Sequence, residues 1–222
     1  MNSVDKKLMI HQRRILGILC TVLAPLCVIF GLFGVTKYNC PEWWYSISAT
    51  YYANSRMFMI GLLFATAVYF FAYTGYDWID RTLSLIAAVC ALGVVAFPCS
   101  TPAAGVYEGL FCLPISVSSI IHLIFAATLF TVFILMVITF MRSKPSAIAN
   151  PKKKLRNKIY LVCAILMGCF YIWHIVVCLI GLPRWWGVID EGMLLIVFGV
   201  AYLVKGECIS FLNDDIRSTS RI

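Results

Sequence analysis

Six apolar stretches follow one another along the chain, at residues 15–35, 57–74, 82–97, 117–141, 159–182 and 185–204. Most hold about 20 residues, the number an α-helix needs to cross about 30 Å of hydrocarbon at about 1.5 Å per residue. The pattern predicts an all-α polytopic membrane protein, with six transmembrane helices in one bundle over 15–204. A polar N-terminus at 1–14 and a polar tail at 205–222 flank it. The first stretch has the outline of a signal peptide. It is too long for a typical signal core and no small-x-small cleavage site follows, so it reads as a retained helix, with Pro25 as a kink. Trp43, Trp44, Tyr45, Tyr51 and Tyr52 precede the second stretch, and Tyr69, Tyr73, Tyr76 and Trp78 close it. Such rings favour the headgroup level on either side of a bilayer. There is no internal repeat, so an inverted-repeat transporter gains no support.

Composition sharpens this. The chain is 62% hydrophobic and 13% charged, against about 45–50% and about 25% for soluble domains, so lipid is its main solvent. A net charge of +8 raises the question of a nucleic-acid partner. The basic residues sit beside the apolar stretches and no basic-aromatic domain stands outside them, so no nucleic acid is expected. Only Lys37, Arg56 and Arg184 lie at the end opposite the termini; the other Lys and Arg residues lie at the end that carries them. By the positive-inside rule both termini are cytoplasmic. Seven of those cations fall in 142–158. They set topology or, alternatively, contact anionic lipid.

Asp190 and Glu191 interrupt the last stretch. Charges at membrane depth are costly and normally face a partner or a cavity. Counting up from Lys205 at about 1.5 Å per residue puts Asp190 about 22 Å into a core of about 30 Å, in its outer third. His174 lies about 12 Å below the outer end of the fifth stretch. A tight turn at Pro183 and Arg184 makes the last two stretches hairpin neighbours, so His174 can face the acids. His122 and Arg56 fall at the same outer boundary, with Ser46, Ser48, Thr50, Tyr51 and Tyr52 above them. The expected site is an outward-facing polar pocket. Its ligand-binding candidates are Arg56, Tyr51, Tyr52, His122, His174, Asp190 and Glu191, and its acid–base candidates are Asp190, Glu191 and His174. The alternative is that the acids form the first turn of a helix that starts later, with 209–212 extending the apolar stretch inward. Gly192 and Gly199, seven apart on one face, suit close helix packing.

Of the ten cysteines, Cys20, Cys27, Cys90, Cys163, Cys169 and Cys178 lie in apolar stretches and read as small buried residues. Cys40, Cys99 and Cys112 fall in the outer segments, where Cys99–Cys112 is the easiest disulfide. Cys208 is a candidate for acylation. No zinc spacing is present, and no metal or cofactor is expected.

The run Ser46-Ile47-Ser48-Ala49-Thr50-Tyr51-Tyr52 followed by Arg56 resembles a bacterial family of six-span membrane proteins without assigned function. Gly75-Tyr76-Asp77, Phe97-Pro98, His122-Leu123-Ile124-Phe125-Ala126-Ala127, Arg156-Asn157-Lys158-Ile159-Tyr160 and Leu203-Val204-Lys205-Gly206-Glu207 carry it along nearly the whole chain. The resemblance implies a bacterial inner membrane. More distantly the chain is similar to damage-regulated autophagy modulators and to membrane proteins that remodel glycosylphosphatidylinositol lipids, which implies a lipid-linked role.

Several functions stay open. The outward pocket suits binding or remodelling of a membrane lipid. A transporter of a small solute or proton needs a polar path, and below the acids the last stretch offers only apolar residues and Tyr202. A metal-dependent hydrolase of the ceramidase type needs a His-x-x-x-His pair, whereas His11, His122 and His174 are the only histidines and none stands four from another. An accessory protein without a site of its own would act through a protein partner or as an oligomer.

Overall fold

A computed structural model of the chain describes residues 3–33, 46–101, 104–142, 151–181 and 185–213. Among these, six α-helices follow in order: α1 (Ser3–Leu32), α2 (Arg56–Ala72), α3 (Trp78–Ala96), α4 (Ile115–Phe140), α5 (Pro151–Ile180) and α6 (Trp185–Lys205). A 3-10 turn, Ser48–Tyr52, leads into α2, and another, Ser210–Leu212, follows α6. Five of the helices are long and apolar enough to cross a membrane. The remaining one, α2, is apolar but its 17 residues rise only about 26 Å, short of a full hydrocarbon core of about 30 Å. The chain is a multi-pass helical membrane protein, with five full-length candidate spans and this shorter helix where six spans were expected.

Helix ends depart from the hydropathy pattern in two places. α1 begins at Ser3, inside the polar segment 1–14. Met9, Arg13, Leu16, Cys20, Leu23 and Cys27 alternate at spacings of four and three and are all buried, so one stripe carries the helix past the edge of its apolar run. α5 begins at Pro151, so Lys152, Lys153, Lys154, Arg156 and Lys158 lie on helix rather than loop. Proline suits a first helical turn, where its missing N–H would have no partner.

The 98–116 segment is not wholly irregular. β1 (Tyr107–Glu108) and β2 (Leu113–Pro114) pair antiparallel just before α4. Gly109 turns the hairpin with φ +82, and a Cβ there would come within 2.7 Å of the Ala96 carbonyl oxygen. Cys99 and Cys112 are free thiols, so the bridge that was easiest to close between them is not formed. Burial pushes the Cys99 thiol up to about 12, far from the thiolate that exchange needs. Cys40 lies outside the described residues, as do Lys37, Trp43, Trp44, Tyr45, Pro183 and Arg184.

α6 is the central helix: 72% of its apolar window is inside the bundle, against 22% for α5. The same asymmetry corrects the cysteine reading. Cys20, Cys27, Cys90 and Cys163 are buried, but Cys169 and Cys178 are exposed on the outer faces of the peripheral α5. The most extensively packed helix pair is α1 with α6. At Gly199 an added Cβ would lie 2.7 Å from the Thr21 amide nitrogen and 2.8 Å from the Gly17 carbonyl oxygen, backbone atoms that cannot step aside. The absence of a side chain is what lets these axes approach.

The middle of the bundle is filled by rings. Phe133 and Phe198 stack at 3.7 Å, Phe70 packs on both, and Tyr202 joins Phe198 and Phe140 at 4.9 Å. Phe70, Phe133, Phe198 and Tyr202 are fully buried. Each such aromatic pair contributes about 0.5–1.5 kcal/mol beyond its area burial.

Candidate functional site

α6 starts at Trp185, five residues before Asp190. Trp185 stacks on Trp186 at 4.3 Å, and Trp173 of α5 packs edge-on against Trp186 at 5.5 Å, which holds that first turn in place. The acids therefore lie in the second turn, and the alternative in which they open the helix does not hold. Asp190 is fully buried and Glu191 is 8% exposed. Buried carboxylates are tolerated only when donors meet them, so the partners of each define what this end of the bundle is.

Glu191 is cradled by the chain just before the first 3-10 turn. The Ser46 hydroxyl donates to its carboxylate at 3.0 Å, the Ile47 amide to Oε2 at 2.9 Å and the Ser48 amide to Oε2 at 3.3 Å. Ser46 also accepts from the Ser48 amide at 3.0 Å. One helix side chain thus collects the unpaired amides at the start of a turn, as an N-cap does, from across the bundle. The two serines were visible in sequence as hydroxyls above the acids. The backbone donors between them were not, because any residue supplies an amide.

Asp190 faces the other way, towards α5. Its Oδ1 lies 3.0 Å from His174 Nδ1 and accepts from the Glu191 amide at 2.7 Å. Its Oδ2 has no hydrogen-bond partner among the described residues. His174 Nε2 lies 3.7 Å from the Cys178 sulfur, one turn further along α5. Carboxylate, imidazole and thiol thus form a chain in that order, with the carboxylate fixing the ring, an arrangement suited to holding or passing a proton at Nε2. Cys178 was passed over in the sequence as a buried apolar residue, although its i, i+4 spacing from His174 was there to be read.

The other candidates are not part of this cluster. His122 is buried, and its Nδ1 lies 2.7 Å from the Phe97 carbonyl. With Ser118, whose hydroxyl donates to the Pro98 carbonyl at 3.0 Å, it ties the start of α4 to the end of α3. Arg56 is exposed. It donates to the Tyr51 carbonyl, sits 4.5 Å over the Tyr51 ring, and forms no ion pair with either acid. The Tyr52 hydroxyl donates to the Cys99 carbonyl at 3.0 Å, and burial raises its pKa. Among the described residues these seven do not share one hydrogen-bonded cluster. Asp190, Glu191, His174 and the two serines converge; Arg56, Tyr51, Tyr52 and His122 fasten outer connections. Among the described residues no group of three or more His, Cys, Asp or Glu is arranged to hold a metal ion.

What lies beside Glu191 is a partly open apolar cavity of about 30 Å³, lined by α1, α2, α3, α4, α6 and the turn at Ile47 and Ser48. Leu23, Met59, Leu63, Ala126, Leu129 and Phe130 line most of it, and Ser48 and Glu191 are the polar residues in its wall.

A family model matches residues 18–204, most of the chain and all of α2 to α5, including both acids, His174 and the cavity wall. The chain belongs to the DUF998 family. That family is described as proteins of unknown function, so membership carries no activity. No curated protein and no solved structure matches the chain. The DUF998 match covers the segments from Ser46 to Lys205's neighbour Val204 that were quoted for the six-span resemblance.

Proposed function

We propose that the protein binds a membrane lipid at the Glu191 end, with the tip of an acyl chain in the apolar cavity and the headgroup towards the Ser46–Glu191 cradle. The cavity carries this reading. Its wall is hydrocarbon except at Glu191 and Ser48, which suits an amphiphile and offers a polar solute almost nothing. The ring cluster around Phe133 and Phe198 lies directly beneath and fills the bundle centre. That weighs against a small-solute or proton path, which needs a chain of polar groups or water.

We also infer six spans, with α2 crossing a locally thinned bilayer, and both termini in the cytoplasm. The excess of Lys and Arg at the end carrying the termini supports this. Reporter fusions after residues 142 and 213 should report the cytoplasm, and one in the 104–112 hairpin the opposite side.

The lipid reading is tested by native mass spectrometry of the purified full chain. Wild type should retain lipid. Ala126→Val, which puts two methyl groups into the cavity, should lose it while keeping the wild-type helical circular dichroism. Lipid retained equally by the folded variant, or none on wild type after mild detergent extraction, would sink the proposal.

A further inference from the structure

The opposite end of the bundle holds a second polar cluster, built on α1, α6 and the tyrosines that close α2. Arg13 is only 1% exposed. Its guanidinium donates to the Tyr73 hydroxyl from Nε at 2.9 Å and from Nη2 at 2.8 Å, and to the Tyr76 hydroxyl from Nη1 at 3.4 Å. It lies 4.5 Å from the centre of the Tyr76 ring. Lys205 donates to the Phe140 carbonyl at 3.1 Å and lies 5.6 Å from the same Tyr76 ring and 5.7 Å from that of Tyr160. Two cations therefore share one tyrosine.

Neither cation forms an ion pair among the described residues. Among the described residues, Asp80 lies near enough to favour the Lys205 charge, but it and Asp77 are bonded to other groups. Arg142 holds Asp77 at 2.8 Å and Asp80 at 3.4 Å, and the Tyr76 amide donates to Asp80 at 3.2 Å. A cation withdrawn from water without a counter-anion is costly, and ring faces recover only part of the loss. The hydrogen bonds are unbalanced in the same sense. Arg13 uses both tyrosine oxygens as acceptors, so each hydroxyl keeps its own proton to give away, and the Lys205 ammonium has three donors. The cluster is thus rich in donors and positive charge and poor in acceptors. It reaches the outside at Tyr76, which is 53% exposed, next to Trp78 at 75%. Such rings favour the headgroup level.

We propose that the Tyr76 hydroxyl and the Lys205 ammonium, backed by the buried charge of Arg13, bind a phosphate group, that of an anionic phospholipid in the leaflet at this end. A phosphate supplies only acceptors and negative charge, the two things the cluster lacks. The site is separate from the Glu191 cavity and stands whether or not that cavity holds lipid.

The test uses the purified full chain in neutral detergent, titrated with phosphatidylglycerol, phosphatidylcholine or inorganic phosphate, and read by native mass spectrometry and unfolding temperature. Phosphatidylglycerol should bind saturably and more tightly than the other two. Lys205→Gln should weaken it about tenfold or more, the scale of a lost hydrogen bond to a charged group. Tyr76→Phe should weaken it by a smaller factor; it removes one exposed hydroxyl and leaves the fold intact, which covers the case of a misfolded Lys205 variant. Equal affinity for phosphatidylglycerol and phosphatidylcholine, or phosphatidylglycerol binding unchanged in Tyr76→Phe and in folded Lys205→Gln, overturns the proposal. Inorganic phosphate bound as tightly as the lipid, through the same residues, overturns the lipid assignment.

Discussion

At the Glu191 end, a carboxylate meets a serine hydroxyl and two backbone amides, all from residues 46–48. At the Arg13 end, a guanidinium and an ammonium meet tyrosine rings and hydroxyls, and among the described residues neither forms an ion pair with a carboxylate. Both ends bury charge, but the first answers Glu191 from its own chain and the second leaves a surplus of donors. Phe198 stands seven residues from Glu191 and seven from Lys205, about 10 Å along the axis from each, so the ring cluster insulates one end from the other. The lesson is that Glu191, completed internally, is a fastening that leaves its end to take a lipid through the apolar cavity beside it, whereas cations left incomplete at a membrane surface call for a ligand that brings the charge.

The largest break in this comparison is removal of the insulation. Phe198→Ala should cost about 3–5 kcal/mol, because a stacked ring is deleted from a filled core. Chemical denaturation in detergent measures it, and a cost under about 1 kcal/mol would mean that the rings are not the core. Next comes the acid. Glu191→Leu strands the Ile47 amide and the Ser46 hydroxyl and should cost about 2–3 kcal/mol, the penalty for buried unpaired donors. Glu191→Gln keeps an acceptor and should cost less; an equal loss in both would show that the charge rather than the acceptor matters. Gly199→Ala forces a methyl against the α1 backbone and should cost about 1–3 kcal/mol, an overpacking loss seen in unfolding temperature.

The smallest effect is at the surface of the basic end. Asp77 caps α3 by accepting from the Asp80 amide at 2.9 Å, and that bond, with Arg142 behind it, holds its carboxyl below the usual range. A depressed carboxyl pKa stabilises the fold fully above the ordinary value of about 3.9 and loses that contribution as pH falls through the folded value. Asp77→Ala should cost about 1 kcal/mol at neutral pH. The difference from wild type should shrink below pH of about 4; a difference constant with pH would rule out the cap.

Much of the helical architecture was legible because lipid punishes polar backbone and the apolar runs had to be long. The helix starts were less so. α1 enters the polar N-terminus on a stripe, Met9, Arg13, Leu16, Cys20, Leu23 and Cys27, whose four-and-three spacing was present in the sequence. Arg13 looked like one of several N-terminal basic residues until that stripe placed it inside. That His174 meets one of the two acids followed from depth along two adjacent helices; that it is Asp190 did not. The cradle of Glu191 did not, since two of its donors are backbone amides. Depth alone also put Arg56 and His122 with the acids. Depth says how far along a helix a residue lies and nothing about which way it faces, and both residues turn to carbonyls near their own ends.

The most direct test is one set of unfolding temperatures, for wild type, Glu191→Leu and Lys205→Gln, each in neutral detergent with and without phosphatidylglycerol. Glu191→Leu should lose the same number of degrees in both media. Lys205→Gln should match wild type closely without the lipid and fall behind it once the lipid is added, because the lipid stabilises only the chain that binds it. If Lys205→Gln loses as much without phosphatidylglycerol as with it, the basic end is as self-contained as the acidic one and the contrast between them fails.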